Sequence, residues 1–173
     1  MDRIDLPDAS AEPVVYRDAL LALRGDRDAL EVMAETLETL PRLLGSLDDA
    51  AWRRRPEPDE WSPYELMGHF FDVDLVFGFR WRLTATADGA AYPGYDENAF
   101  ATLARPEPAR LLDIWAGLRE ANLAFLQALP DVAYQRVGVH SEQGEELLRT
   151  AVDKFAGHDI AHLDQFRRTL PPR

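Results

Sequence analysis

Trp61-Ser62-Pro63-Tyr64-Glu65-Leu66-Met67-Gly68-His69 reads as the opening of a long helix. Ser62 is a good N-cap, Pro63 suits the first helical position, and Glu65 stands three residues after the cap. Together they make a capping box, in which the Ser62 hydroxyl accepts from the Glu65 amide and the Glu65 carboxylate accepts from the Ser62 amide. From Pro63 on, Leu66, His69, Phe70, Val73, Phe77 and Arg80 or Trp81 recur at helical spacing, so one face is apolar and is expected to be buried. His69 lies on that face.

The same periodicity appears three more times. Leu30, Met33, Leu37, Leu40 and Leu44 form a stripe on a helix from about Asp26 to Leu47, with Pro41 expected to kink or end it. Leu111, Trp115, Leu118, Asn122, Phe125 and Leu129 share a face of a helix over about 109–129, with Asn122 its polar exception. Leu148, Ala151, Phe155, His158, His162 and Phe166 form the seam of a last helix over about 145–170, which Pro171 and Pro172 end. Val137 and Val139 hint at a short extended piece, too little for a sheet. The expectation is an all-α fold, a four-helix bundle with a long connector, about 88–107, between the second and third helices. A connector of that length usually covers a cavity or is mobile; Tyr92, Tyr95 and Phe100 within it either close a substrate side or pack on the bundle. Residues 26–170 read as one domain, and 1–25 as an N-terminal extension or short helix.

The 173 residues carry 31 acidic against 19 basic side chains, a net charge of −12, which repels phosphate backbones and makes nucleic acid an unlikely partner. The run Arg53-Arg54-Arg55 is too short to alter that and reads as a solvated turn. There is no cysteine, which removes disulfides, thiolate nucleophiles and thiolate metal sites. Any metal must be held by His, Asp or Glu. No apolar stretch is long enough for a membrane span or a signal peptide core, so the expected location is the cytoplasm.

Of four histidines, His158 and His162 are four apart in Gly157-His158-Asp159-Ile160-Ala161-His162, close enough on a helix for two imidazoles to reach one ion. Both extend the buried seam, where imidazoles need either hydrogen-bonding partners or a cation. His69 on a facing helix is the third candidate, since bundle cores are where facing helices assemble metal sites. Each could instead be a satisfied core histidine. Three His ligands would leave a tetrahedral ion one open position for water or substrate. Asp72, Asp159 and Gln165 are candidates to orient the rings from behind; each also reads as an ordinary helix residue. His140, in a loop beside Ser141 and Gly144, reads as a surface residue.

The Trp61–His69 stretch, the Pro93-Gly94-Tyr95-Asp96-Glu97 connector and the Gly157–Gln165 stretch together resemble the DinB-like or YfiT-like four-helix bundles, which are unrelated to the DNA polymerase sharing the DinB name. The resemblance spans about 26–170. It implies one divalent ion, zinc or nickel, held by His69, His158 and His162. It also implies a small-molecule substrate, and for the better-known members transfer or isomerisation using a low-molecular-weight thiol such as bacillithiol or mycothiol, with hydrolysis as the near variant. Homodimers are frequent in the family. The competing expectation is a non-catalytic metal-binding or self-associating bundle.

Overall fold

The computed structural model describes residues 4–7, 11–58 and 60–170. Helix α1 (Pro13–Arg24) leads to α2 (Ala29–Leu44) and a short α3 (Asp49–Arg53), and α4 spans Pro63–Thr86. Strand β1 (Ala90–Tyr92) and helix α5 (Glu97–Ala101) lie in the connector. Helix α6 (Pro108–Gln127), a 3-10 turn (Asp131–Gln135), strands β2 (Val137–His140) and β3 (Gly144–Leu147) and helix α7 (Leu148–Thr169) complete the chain.

Local chemistry accounts for the starts of α4 and α2. The capping box at Ser62 forms: the Glu65 amide donates to the Ser62 hydroxyl at 3.3 Å and the Ser62 amide donates to Glu65 Oε2 at 2.8 Å. Helix α2 begins later than expected because Asp28 is its cap, accepting from the amides of Leu30 and Glu31. Pro41 does not break it in the middle. Its missing N–H falls in the last turn, and the helix ends three residues on at Leu44.

Helices α2, α4, α6 and α7 enclose two apolar clusters. One holds Met33, Val73, Trp81, Leu126, Leu148 and Phe155; the other holds Leu40, Leu66, Phe70, Leu111, Trp115 and Phe166. At the level where the helices pass from one cluster to the other sits a buried polar layer. Arg119 donates to Asp74 (2.9 and 3.0 Å) and to Asp159 (2.5 and 3.1 Å), while the Trp115 indole N–H (2.7 Å) and the Asn122 amide (3.2 Å) also reach the Asp74 carboxylate. Asn122, the polar exception on its stripe, thus has its partners in the bundle.

Helix α1 lies along α7, and Gly157 permits the approach: a Cβ there would stand 1.9 Å from the Leu20 carbonyl oxygen. Leu20 is fully buried in consequence.

A small sheet corrects the expectation that Val137 and Val139 are too little for one. β2 pairs parallel with β1 (Tyr92 opposite His140) and antiparallel with β3 (Val137 opposite Leu147), in the order β1-β2-β3. Its partners come from the connector and from the far side of the Gly144 turn, where φ is +78°. His140 is corrected too: it ends β2 as a buried residue, not a surface one. The fold remains mostly helical. The Arg53-Arg54-Arg55 run is tied down by ion pairs and a carbonyl, Arg53 to Asp49 and Glu107, Arg55 to Glu65, and Arg54 to the Thr169 oxygen. Among the described residues no helix is long and apolar enough to cross a membrane.

Candidate metal centre

The three sequence-selected histidines meet. His69 projects from the second turn of α4, His158 and His162 from one face of α7, and their ring centroids stand 5.0, 4.9 and 4.2 Å apart. His69 Nε2 is 2.9 Å from His158 Nε2, and one ligand atom from each of the three falls within 4.8 Å of the others. A tetrahedral ion with metal–nitrogen bonds near 2.0–2.1 Å separates its nitrogens by about 3.4 Å, within reach of this arrangement. His69 and His158 are only 6% and 7% exposed. Trp61 and Phe70 wall the site, with Trp61 5.2 Å from the His69 ring and Phe70 5.8 and 5.9 Å from the other two.

Burial sets the protonation. Desolvation, then the neighbouring His162, holds His69 well below the usual imidazole range; desolvation and the two neighbouring rings do the same to His158. Burial lowers His162 to about 4 despite its hydrogen bond to Gln165. All three are neutral at pH 7, the state that offers a lone pair to a cation.

One residue orients these rings from behind. The Gln165 amide oxygen accepts from His162 Nδ1 at 2.7 Å; the ring proton is therefore on Nδ1 and the Nε2 lone pair is free to coordinate. Asp72 and Asp159 do not take this role. Asp72, one turn after His69, is paired with Arg105 at 2.6 and 2.9 Å. Asp159 points into the polar layer at Arg119, because a residue adjacent to His158 on a helix faces about 100° away. His158 Nδ1 is buried and has no hydrogen-bond partner among the described residues. Three convergent, neutral nitrogens with one tautomer already set fit a divalent ion, and no fourth His, Asp or Glu joins the group among the described residues.

His158 also lines a cavity of about 650 Å³ whose walls come from α1 (Tyr16, Leu20), α4 (Val73, Phe77, Arg80), the connector and the β2–β3 turn. Tyr95 belongs to this wall and contacts Phe100 at 5.0 Å, whereas Tyr92 is buried in β1 against His140. The connector is fixed to α4 by Arg105, which donates to the Gly68 and Phe100 carbonyls as well as to Asp72. Arg80 stands in the sequence only as an alternative to Trp81 on the α4 stripe, and nothing local marks Arg105 or Arg119; the side chains these three hydrogen-bond lie 33 to 60 residues away.

Comparison with known proteins gives the family and the fold. The DinB superfamily model matches residues 33–166, a span holding all three histidines and Gln165. The chain belongs to the DinB superfamily. Among solved structures, this DinB-superfamily chain is similar to YfiT from Bacillus subtilis, with a TM-score of 0.71 over 97% of this chain and 91% of that one, at 19% identity. YfiT is described as "a probable metal-dependent hydrolase with an unusual four-helix bundle topology". At that identity the likeness establishes the shared fold. No functionally curated protein matches the sequence.

Proposed function

We propose that this chain is a divalent-metal-dependent enzyme of the cytoplasm, in which His69, His158 and His162 hold zinc or nickel and a fourth position opens to the 650 Å³ cavity. The observation that carries the reading is a neutral three-imidazole cluster, two rings buried and the third partly so, with one ring forming part of a cavity wall. A divalent ion in such a site supplies Lewis acidity, favouring deprotonation of a water or thiol placed in its open position. The chain's own residues do the rest. Gln165 keeps the His162 tautomer, Leu20, Phe77 and Phe155 exclude bulk water, and the connector with Tyr95 bounds the substrate side.

Hydrolysis of a small molecule is the first reading, supported by the description of YfiT. Transfer to a low-molecular-weight thiol is the second, supported by a cavity roomy enough for a cosubstrate; with no cysteine in the chain, the sulfur would arrive on that cosubstrate. Homodimer formation belongs to the same reading, on the family resemblance and on Leu75 and Phe79, exposed one turn apart on α4.

Elemental analysis of protein purified without a metal-affinity tag should return close to one divalent ion per chain. A metal-free product that takes up no zinc on titration refutes the reading. Screening esters, amides and thiol-plus-electrophile pairs then separates the two chemistries, and His158→Ala should abolish whichever activity is found.

A further inference from the structure

The cavity beside the candidate metal centre has a second chemical pole. Arg80 and Lys154 line it and are each only 8% exposed, whereas its carboxylates, Asp96, Glu97 and Glu142, lie exposed at the rim. Lys154 is neutralised by Glu146, with both carboxylate oxygens 2.9 Å from its ammonium. Among the described residues no carboxylate is bonded to Arg80, and those of Glu146 and Glu142 act on it only through space. The buried guanidiniums of Arg105 and Arg119 are each bonded to carboxylates, Arg105 to Asp72 and Arg119 to Asp74 and Asp159. Arg80 instead donates to the Pro93 carbonyl at 2.7 Å and lies against the rings of Phe77, Tyr92 and Tyr95. A buried cation without a bonded counter-charge is costly in a finished interior.

His140 makes the same point from the other side. The backbone amides of Glu142 and Gln143 both donate to its Nδ1, at 3.1 and 3.2 Å, and an amide N–H can only donate. Neutral His140 therefore carries its proton on Nε2, which stands 3.3 Å from Arg80 Nη2. Two N–H donors face one another across the cavity wall with no acceptor of this pair between them. Both residues also line an adjoining cavity of about 270 Å³, so the pair stands where the two spaces meet. On α4, Arg80 is eleven residues from His69, three turns along the same face and about 16 Å at 1.5 Å per residue.

We propose that Arg80 and His140 recognise an anionic group of the substrate, at the end of the cavity away from the three-histidine site. The ligand class is a carboxylate attached to an apolar body, which Leu20, Val73, Phe77 and Phe155 would cover. A singly charged carboxylate is preferred over a phosphate dianion because only one guanidinium lacks a bonded carboxylate and the rim acids repel further negative charge. The substrate assignment rests on the enzymatic reading above; the anion site itself does not need the metal.

The test is binding of 4-phenylbutyrate against its neutral isostere 4-phenylbutyramide, by titration calorimetry, to metal-free and to zinc-loaded protein. The metal-free wild type should prefer the carboxylate about tenfold or more, as for one charge-assisted hydrogen-bonded pair. Arg80→Gln should bind both probes alike, and Arg80→Lys should keep part of the preference. Equal binding of the two probes by the wild type overturns the proposal, as does a preference that survives in Arg80→Gln or that appears only with zinc. If Arg80→Gln and Arg80→Lys lose both probes equally, Arg80 is a packing residue and the proposal also fails. A carboxylate preference in protein that takes up no zinc would leave the anion site standing while refuting the metal centre.

Discussion

Two glycines with the same propensity cost face opposite surroundings. Gly157 lies in α7, where a Cβ would meet the Leu20 carbonyl carbon at 2.5 Å and its oxygen at 1.9 Å, both backbone atoms of α1 that cannot rotate away. Gly157→Ala should therefore push α1 off α7 and lower stability by about 1–3 kcal/mol or more. Gly117 lies on the exposed side of α6 with nothing within 4 Å of its would-be Cβ. Gly117→Ala should raise stability by about 0.5–1 kcal/mol, since alanine has the higher helix propensity. Chemical denaturation of the two variants decides it; a Gly157→Ala protein as stable as wild type would mean that the α1–α7 contact is loose. At this scale the sequence was informative about which histidines point inward, because His69, His158 and His162 share faces with Leu66, Phe155 and Phe166. It put His140 on the surface, because the pairing that buries it joins β1 to β2 across nearly fifty residues, and it placed Arg80 on the buried α4 stripe without showing its partners.

Elements carried by local signals were read nearly to the residue, and elements carried by distant ones were not. The start of α4 is written in its capping box. The β1–β2–β3 sheet is written nowhere locally: Ala90–Tyr92 has no alternation, and only long-range pairing makes it a strand. The connector is similarly fixed by distant contacts, the β1–β2 pairing and the Arg105–Asp72 pair among them, the latter with side chains 8% and 9% exposed. Replacing Arg105 with Met leaves the Asp72 carboxylate buried without its cation, and the expected cost is about 3–5 kcal/mol. Adding Asp72→Asn to the same chain should recover part of that loss, since the stranded charge is then gone. A denaturant series on wild type, both single variants and the double variant measures the coupling, and additive effects would show that the pair does not anchor the connector.

Across the whole molecule the acidic surface and the neutral imidazole cluster respond to pH in different ways, and the cluster's response can be isolated. His69 and His158 titrate well below their ordinary value in the fold, and His162 falls from 6.5 to about 4. A group whose folded value is depressed contributes stability that is fully present above its unfolded value and is lost as pH falls toward the folded one. Metal-free protein should thus lose stability from about pH 6.5 downward, by about 3 kcal/mol from His162 alone as pH approaches 4. The same depression makes an unusual demand on metal affinity. At an exposed three-histidine site each ring must shed a proton below its pKa, so affinity drops steeply between pH 7 and 5. Here the folded rings are already neutral over most of that interval, and zinc affinity measured on folded protein should stay nearly flat from pH 7 to 5. Competition titrations with a chelator of known pH dependence, run where circular dichroism shows the helices intact, test this directly. A loss approaching a thousandfold per pH unit would mean that all three rings are protonated in the folded protein, contrary to the buried, neutral cluster on which the proposed chemistry depends.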